Sequence, residues 1–180
     1  MNDNQTPSIG FQIQVIPVTP LQQNASIIWS TETKEAALVD PGGDMDRLID
    51  ATKELEVDVQ AIWLTHGHID HVGAATALKE HFDCPIIGPH EDDEFLLEHA
   101  ETQGKKYGIT SARNVQPDQY LNEGDTIALA GIEFDVLHCP GHSPGHVVFH
   151  RKAANFAFVG DVLFRGSIGR TDCPAAIMNN

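Results

Sequence analysis

Positive charge is scarce in this 180-residue chain: 11 Lys and Arg stand against 26 Asp and Glu, for a formal net charge of −15. A chain so poor in basic residues has no face on which to gather phosphates, which argues against nucleic acid or an anionic membrane as a partner. Cysteine is nearly as rare. Cys84, Cys139 and Cys173 are odd in number, widely spaced and without a CxxC pair, so a disulfide framework is not expected. No apolar run reaches the length of a membrane span. The opening residues 1–7 lack the basic and apolar regions of a secretory signal, which makes a reducing cytoplasm the expected compartment. With 41% hydrophobic and 21% charged residues the composition is that of an ordinary globular protein. The length predicts one domain over residues 11–180 behind a flexible N-terminus at 1–10.

Taken in order, residues 11–16 alternate apolar and polar as a half-buried strand does, and Pro17 and Pro20 stop it. Residues 25–29 and 36–39 read as two more strands. Asp40-Pro41-Gly42-Gly43-Asp44 is a turn in which Asp44 is expected to cap the helix marked by Met45, Leu48, Ile49 and Leu55. The apolar run 59–64 is a buried strand, followed by a helix predicted over 71–82, a short strand at 85–88 and a surface helix over 91–103, with 105–114 as a loop. Four further strands are expected at 127–129, 132–137, 146–149 and 156–159, separated by turn signals.

The run 59–64 leads directly into Thr65-His66-Gly67-His68-Ile69-Asp70-His71, which places four metal-ligand side chains within six positions. His66 and His68 are two apart and project to one side of an extended segment, while Asp70 and His71 follow where the chain turns. Three imidazoles and a carboxylate this close repel and desolvate one another unless a cation lies between them. Their donor set suits zinc first, then iron or manganese. A second cluster, His138-Cys139-Pro140-Gly141-His142-Ser143-Pro144-Gly145-His146, fixes a loop with its Pro-Gly pairs. His142 at the apex is the expected ligand, and His138 and His146 on the flanking strands are expected to be hydrogen-bonded structural residues. A third element, the apolar strand ending in Gly160-Asp161, offers a carboxylate able to bridge two cations. His81, His90, His99 and His150 have no ligand partners nearby, and Cys139 reads as a small buried thiol.

Together these motifs resemble those of the metallo-β-lactamase superfamily: residues 65–71 match THxHxDH, Pro140-Gly141-His142 the third motif, Gly160-Asp161 the fourth, and Val39-Asp40-Pro41-Gly42 the first, over about residues 11–174. The run from Gly160 to Asp172, with residues 142–146, is similar to the small glyoxalase II-like hydrolases. The resemblance implies an α/β fold, the αββα four-layer sandwich. It further implies that His66, His68 and His142 hold one Zn2+, that Asp70 and His71 contribute to a second, and that Asp161 bridges them, with Asp70 orienting the metal-bound hydroxide. The family's final His ligand, in a Gly-His loop, has no counterpart before Asn180. The expectation is therefore a C-terminally truncated domain without the last helix and strand of its second half.

The reaction implied is hydrolysis of an acyl thioester such as S-lactoylglutathione, a small-molecule partner. Arg165 and Arg170 could meet a substrate carboxylate or form structural ion pairs, and Tyr107 with Lys105 and Lys106 could line the cleft mouth. Two alternatives stand beside it. One is an iron-dependent persulfide dioxygenase, a superfamily relative whose ligands would be His66, His142 and Asp161. The other is a metal-binding but inactive domain.

Overall fold

The computed structural model describes residues 10–172. The expectations for residues 1–9, for Cys173 and for the chain end lie outside the described residues. Strands β1 (Phe11–Val18), β2 (Gln23–Ser30) and β3 (Glu35–Val39) form an antiparallel meander. Helix α1 (Met45–Glu54) follows, then β4 (Asp58–Trp63), which pairs parallel with β3. After α2 (Ile69–Val72) and α3 (Ala75–Phe82), the short β5 (Ile86–Ile87) adds a second parallel pair and completes a five-stranded sheet. A 3₁₀ turn (Glu91–Asp93), α4 (Glu94–Leu97) and α5 (Ala100–Tyr107) then lead to a second, antiparallel sheet of β6 (Thr126–Leu129), β7 (Ile132–His138), β8 (Val147–Arg151) and β9 (Phe156–Phe158). A small hairpin of β10 (Leu163–Phe164) and β11 (Ser167–Ile168) closes the described chain.

Alternation along the strands decides the layering. One face of the first sheet sends Ile28, Ala37, Val39, Ala61 and Trp63 against Phe134, Val136, Val147 and Phe149 of the second. Trp63 lies at the centre, edge-on to Phe134 at 5.6 Å and to Phe149 at 5.9 Å. Such pairs contribute about 0.5–1.5 kcal/mol each beyond their buried area. The other face packs Ile16, Ile27, Leu38 and Ile62 against Leu48, Val72, Leu78, Leu97 and Ala100 of the helices. The layers therefore run helix, sheet, sheet, and all five α-helices of the described residues serve the first sheet. Among the described residues no helix covers the outer face of the second, where Glu133, Asp135 and Leu137 alternate outward.

Three expectations are corrected. The helix predicted over 71–82 is two helices, because the chain bends at Gly73 and Ala74 to meet the 40–43 turn. There the Ala74 N–H donates to the Pro41 carbonyl at 2.9 Å, and a Cβ on Gly42 would fall 1.4 Å from the Asp70 carbonyl oxygen. The surface helix over 91–103 is likewise broken, and the loop expected to begin at 105 is still helical to Tyr107. Asp44 makes no side-chain cap. Its backbone is left-handed at φ 49°, and its carboxylate instead accepts the Thr19 N–H at 3.0 Å.

Pairing also fixes where the ligand-type residues end up. Val39 lies opposite Trp63 in the parallel β3–β4 ladder, so the residues just beyond them, Asp40 and Thr65, emerge at the same edge. In the second sheet His138 pairs with Val147 and Phe158 with Phe149, which brings residues 139–146 and 159–161 to one edge as well. The Val147 N–H donates to the Thr65 carbonyl at 2.8 Å and joins the two edges.

Candidate metal centre

Asp40 anchors the pocket. It turns off β3 in the left-handed region at φ 50°, a conformation Asp tolerates better than most residues. Its buried carboxylate accepts the Thr65 N–H on Oδ1 at 2.7 Å and the Thr65 hydroxyl on Oδ2 at 2.7 Å. The hydroxyl proton is thus committed, and Thr65 Oγ1, 3.0 Å from His66 Nδ1, can only accept there. His66 consequently carries its proton on Nδ1 and presents a bare Nε2. That atom is fully buried and has no hydrogen-bond partner. Buried polar atoms are almost always paired, so an orphaned imidazole lone pair is the mark of a missing electrophile.

The other five residues converge on it. His68 Nδ1 lies 2.8 Å from His142 Nε2, and the donors of His66, His68 and His142 all fall within 4.8 Å of one another. His142 donates from Nδ1 to the Arg170 carbonyl at 2.9 Å, which leaves Nε2 toward the pocket, 3.3 Å from Asp161 Oδ2. His71 donates from Nδ1 to Asp40 Oδ2 at 3.0 Å; its Nε2 is 3.3 Å from Asp161 Oδ1 and 3.9 Å from Asp70 Oδ2. Asp161 thus reaches both the His142 and the His71 sides of the pocket.

Charge in the pocket follows from this packing. Burial, reinforced by the neighbouring imidazoles, pushes His66 well below its ordinary value and His68 down to about 4. Burial alone would lower His71 too, but the Asp40 charge, the hydrogen bonds to Asp161 and Asp40 and the Asp70 charge raise it to about 10. For Asp161 the penalty of burial is outweighed by His71, and its carboxyl stays below the usual range. The bare imidazoles of His66 and His68 thus stand beside the ionised Asp161, a donor set that divalent zinc or iron takes, while His71 holds a proton on Nε2 that a cation would have to displace. Cys84, pushed up to about 11 by burial, and Cys139, also raised, are protonated at neutral pH and supply no thiolate.

His138 and His146 are both hydrogen-bonded. His138 Nε2 donates to the Pro144 carbonyl at 2.9 Å, and its ring stacks face to face on His90 at 4.2 Å, with donor atoms of His90, Asp92 and His138 within 4.8 Å of one another. His146 Nε2 accepts the Asp161 N–H at 3.0 Å and steadies that carboxylate's loop. Arg170 lies beside the pocket, with its guanidinium paired to Asp172 at 3.0 Å. Arg165 is exposed on the β10–β11 turn. Lys105 is tied to Glu101.

Two clefts open on either side of Asp70 and Asp161. One, of about 350 Å³, is lined by Gln23, Asp40, His71 and Phe158. The other, of about 370 Å³, runs from His68 and His142 along Phe95, Leu96 and Tyr107 to Arg170.

Sequence reasoning missed two carboxylates. Asp40 was read only as part of a turn and a motif. Asp93 was lost in the acidic run 91–94, although it is fully buried and bonded to both histidine loops. A polar residue just past the end of an apolar strand, as at Asp40, is a usable signal; the run 91–94 carries none that separates one acid from the next.

Comparison with known proteins agrees with this geometry. The family model described as the metallo-beta-lactamase superfamily matches residues 18–179. Over 165 residues, 91% of this chain and 77% of the relative, the chain is 48% identical to hydroxyacylglutathione hydrolase GloC of Haemophilus influenzae. Among solved structures it is similar to BLEG-1 B3 metallo-beta-lactamase (TM-score 0.80, 36% identity, 89% of this chain and 77% of that one). It is also similar to TTHA1623 in a di-iron-bound form (TM-score 0.78, 39% identity, 89% and 78%).

Proposed function

The chain belongs to the metallo-β-lactamase superfamily, as a metal-dependent hydrolase, and on that premise we propose that its metal is zinc and its substrates are S-acyl glutathione thioesters such as S-lactoylglutathione. His66, His68 and His142 would hold one ion, and His71, Asp70 and Asp161 would serve a second. The observation that carries the metal reading is the buried, partnerless Nε2 of His66, beside the neutral His68 and the ionised Asp161. The thioester reading is supported by the 48% identity to a hydroxyacylglutathione hydrolase.

When bound, zinc lowers the pKa of a coordinated water from 15.7 to about 7 and polarises a carbonyl oxygen. The residues of the chain do the rest. Asp70, which lines both clefts, accepts a hydrogen bond from the attacking water and orients it. Asp40 holds a proton on Nδ1 of His71 and, through Thr65, on Nδ1 of His66, so that the Nε2 atoms are the ones turned to the pocket, His71 giving up its second proton when a cation binds. Phe95, Leu96 and Tyr107 form the apolar wall that keeps bulk water from the acyl group. Arg170, which lines the cleft while paired with Asp172, and the exposed Arg165 on the adjoining turn would meet a glutathione carboxylate, Arg170 by exchanging Asp172 for it. A thiolate leaves without needing a proton, so the absence of a further acid in this scheme is no obstacle.

The test is thiol release from S-lactoylglutathione by zinc-reconstituted protein. Release that stops with chelator and returns with zinc is expected; zinc-loaded protein that frees no thiol refutes the thioester reading. A second reading, iron in the same pocket, draws support from the di-iron form of the 39% identical relative. Oxygen uptake by iron-loaded protein on glutathione persulfide, with no thioester turnover, would favour it.

A further inference from the structure

The two histidine loops come from different sheets, and one side chain lies between them. Asp93 is fully buried, although Glu91, Asp92 and Glu94 beside it are exposed. Its Oδ2 accepts the Gly67 N–H at 2.7 Å and the Ser143 hydroxyl at 2.7 Å; its Oδ1 accepts the Gly145 N–H at 2.6 Å. Gly67 separates His66 from His68, Ser143 follows His142, and Gly145 precedes His146. The backbone adds a fourth tie, His90 N–H to the Gly145 carbonyl at 3.1 Å. Both glycines lie flat against this residue. A Cβ on Gly67 would sit 3.3 Å from Asp93 Cβ and 3.2 Å from its carbonyl oxygen, and one on Gly145 would meet Asp93 N at 2.6 Å.

We propose that Asp93 is a positioning residue: by bonding both loops at once it sets the separation between the His66–His68 pair and His142, and so the metal affinity and turnover of the site. The inference rests on the functional reading above for its turnover arm, but its affinity arm stands on the pocket geometry alone. A carboxylate suits the position because all three groups facing it are donors, and bonds to an ionised acceptor are the stronger kind. Residues that hold metal ligands from behind typically change metal affinity by about 10–100-fold when altered. At Asp93 the effect spans two loops, since one carboxylate bonds Gly67 and Gly145 directly while their histidines, His68 and His142, lie 2.8 Å apart.

The experiment compares wild type with Asp93→Asn and Ser143→Ala. Asn keeps the shape, yet its NH2 group, at either oxygen's place, faces a backbone N–H. Zinc affinity is read by competition with a chromophoric chelator, kcat and KM at saturating zinc, and thermal unfolding with and without metal. Asp93→Asn is expected to bind zinc about 10–100-fold more weakly, with kcat lowered and KM little changed. Ser143→Ala, which removes one donor and leaves the carboxylate, is expected to move both in the same direction by a smaller factor. Wild-type affinity and kcat in both variants, with only the unfolding temperature lowered, would overturn the proposal and leave Asp93 a purely structural residue. Should Asp93→Asn fail to fold, Ser143→Ala decides by the same criteria. If wild type binds zinc but cleaves no thioester, the functional reading fails and the affinity comparison still decides the role of Asp93.

Discussion

Replacing Asp40 by Asn changes one atom and is expected to disturb two of the metal-facing histidines, His66 and His71. In one orientation the amide NH2 occupies the place of Oδ2. It then faces the Thr65 hydroxyl and His71 Nδ1, at the positions now 2.7 and 3.0 Å away. Thr65 must turn to accept, its proton goes to His66 Nδ1, and both rings are driven to the tautomer with Nε2 protonated, which cannot ligate. In the other orientation the NH2 faces the Thr65 N–H, and a backbone donor with no solvent exposure loses its acceptor. Each buried group left unpaired costs about 1–3 kcal/mol. With the loss of charge-assisted bonds the change totals about 2–4 kcal/mol. For a domain of this size that corresponds to a fall of about 5–15 °C in Tm. Metal affinity should fall by about 10–100-fold. Thermal unfolding of the metal-free protein by circular dichroism and a chelator competition read the two effects separately. An Asp40→Asn protein with the wild-type Tm and zinc affinity would refute the tautomer argument.

The metal-free protein should be most stable near neutral pH. Burial holds His146 and His68 at about 4, below the ordinary 6.5, so the unfolded chain binds more protons and stability falls as pH drops from about 6.5 toward 4. His71, raised to about 10, contributes in the opposite sense: its term is complete below about 6.5 and fades as pH climbs toward 10. Urea midpoints measured in chelator at acid, neutral and alkaline pH would contradict this if they were flat. Gly42→Ala places a methyl 1.4 Å from the Asp70 carbonyl oxygen and 2.3 Å from its carbon, both backbone atoms. A loss of about 3 kcal/mol or more is expected, and an unchanged urea midpoint would show that the 40–43 turn and α2 are not held that closely.

What could be read from the sequence was mostly local. His66, His68, Asp70 and His71 lie within six residues, so their convergence needs only a strand end and a turn. The alternation at 127–129 and 132–137 gave the second sheet for the same reason, since a pleat puts every other residue inside. The failures were set by distant partners. The spacing reads as one helix from His71 to Phe82, and only the approach of Pro41 and Gly42 shows why the helix must break. Asp93 is indistinguishable in sequence from its three acidic neighbours; its burial is decided by Gly145, 52 positions on. Asp44 resembled a helix cap until Thr19, 25 positions back, claimed its carboxylate. Of the arginines singled out for substrate, Arg170 lines a cleft and Arg165 stands on an exposed turn, a difference that the β10–β11 hairpin makes and spacing alone does not.

The most direct test of the account is metal content per chain by elemental analysis, on protein purified without chelator, for wild type and for a His66→Ala/His142→Ala double variant. At least one zinc bound per wild-type chain is expected, with loss of that ion in the double variant and its circular dichroism spectrum retained. A wild-type chain that takes up no divalent metal, or a double variant that binds as much as wild type, would contradict it.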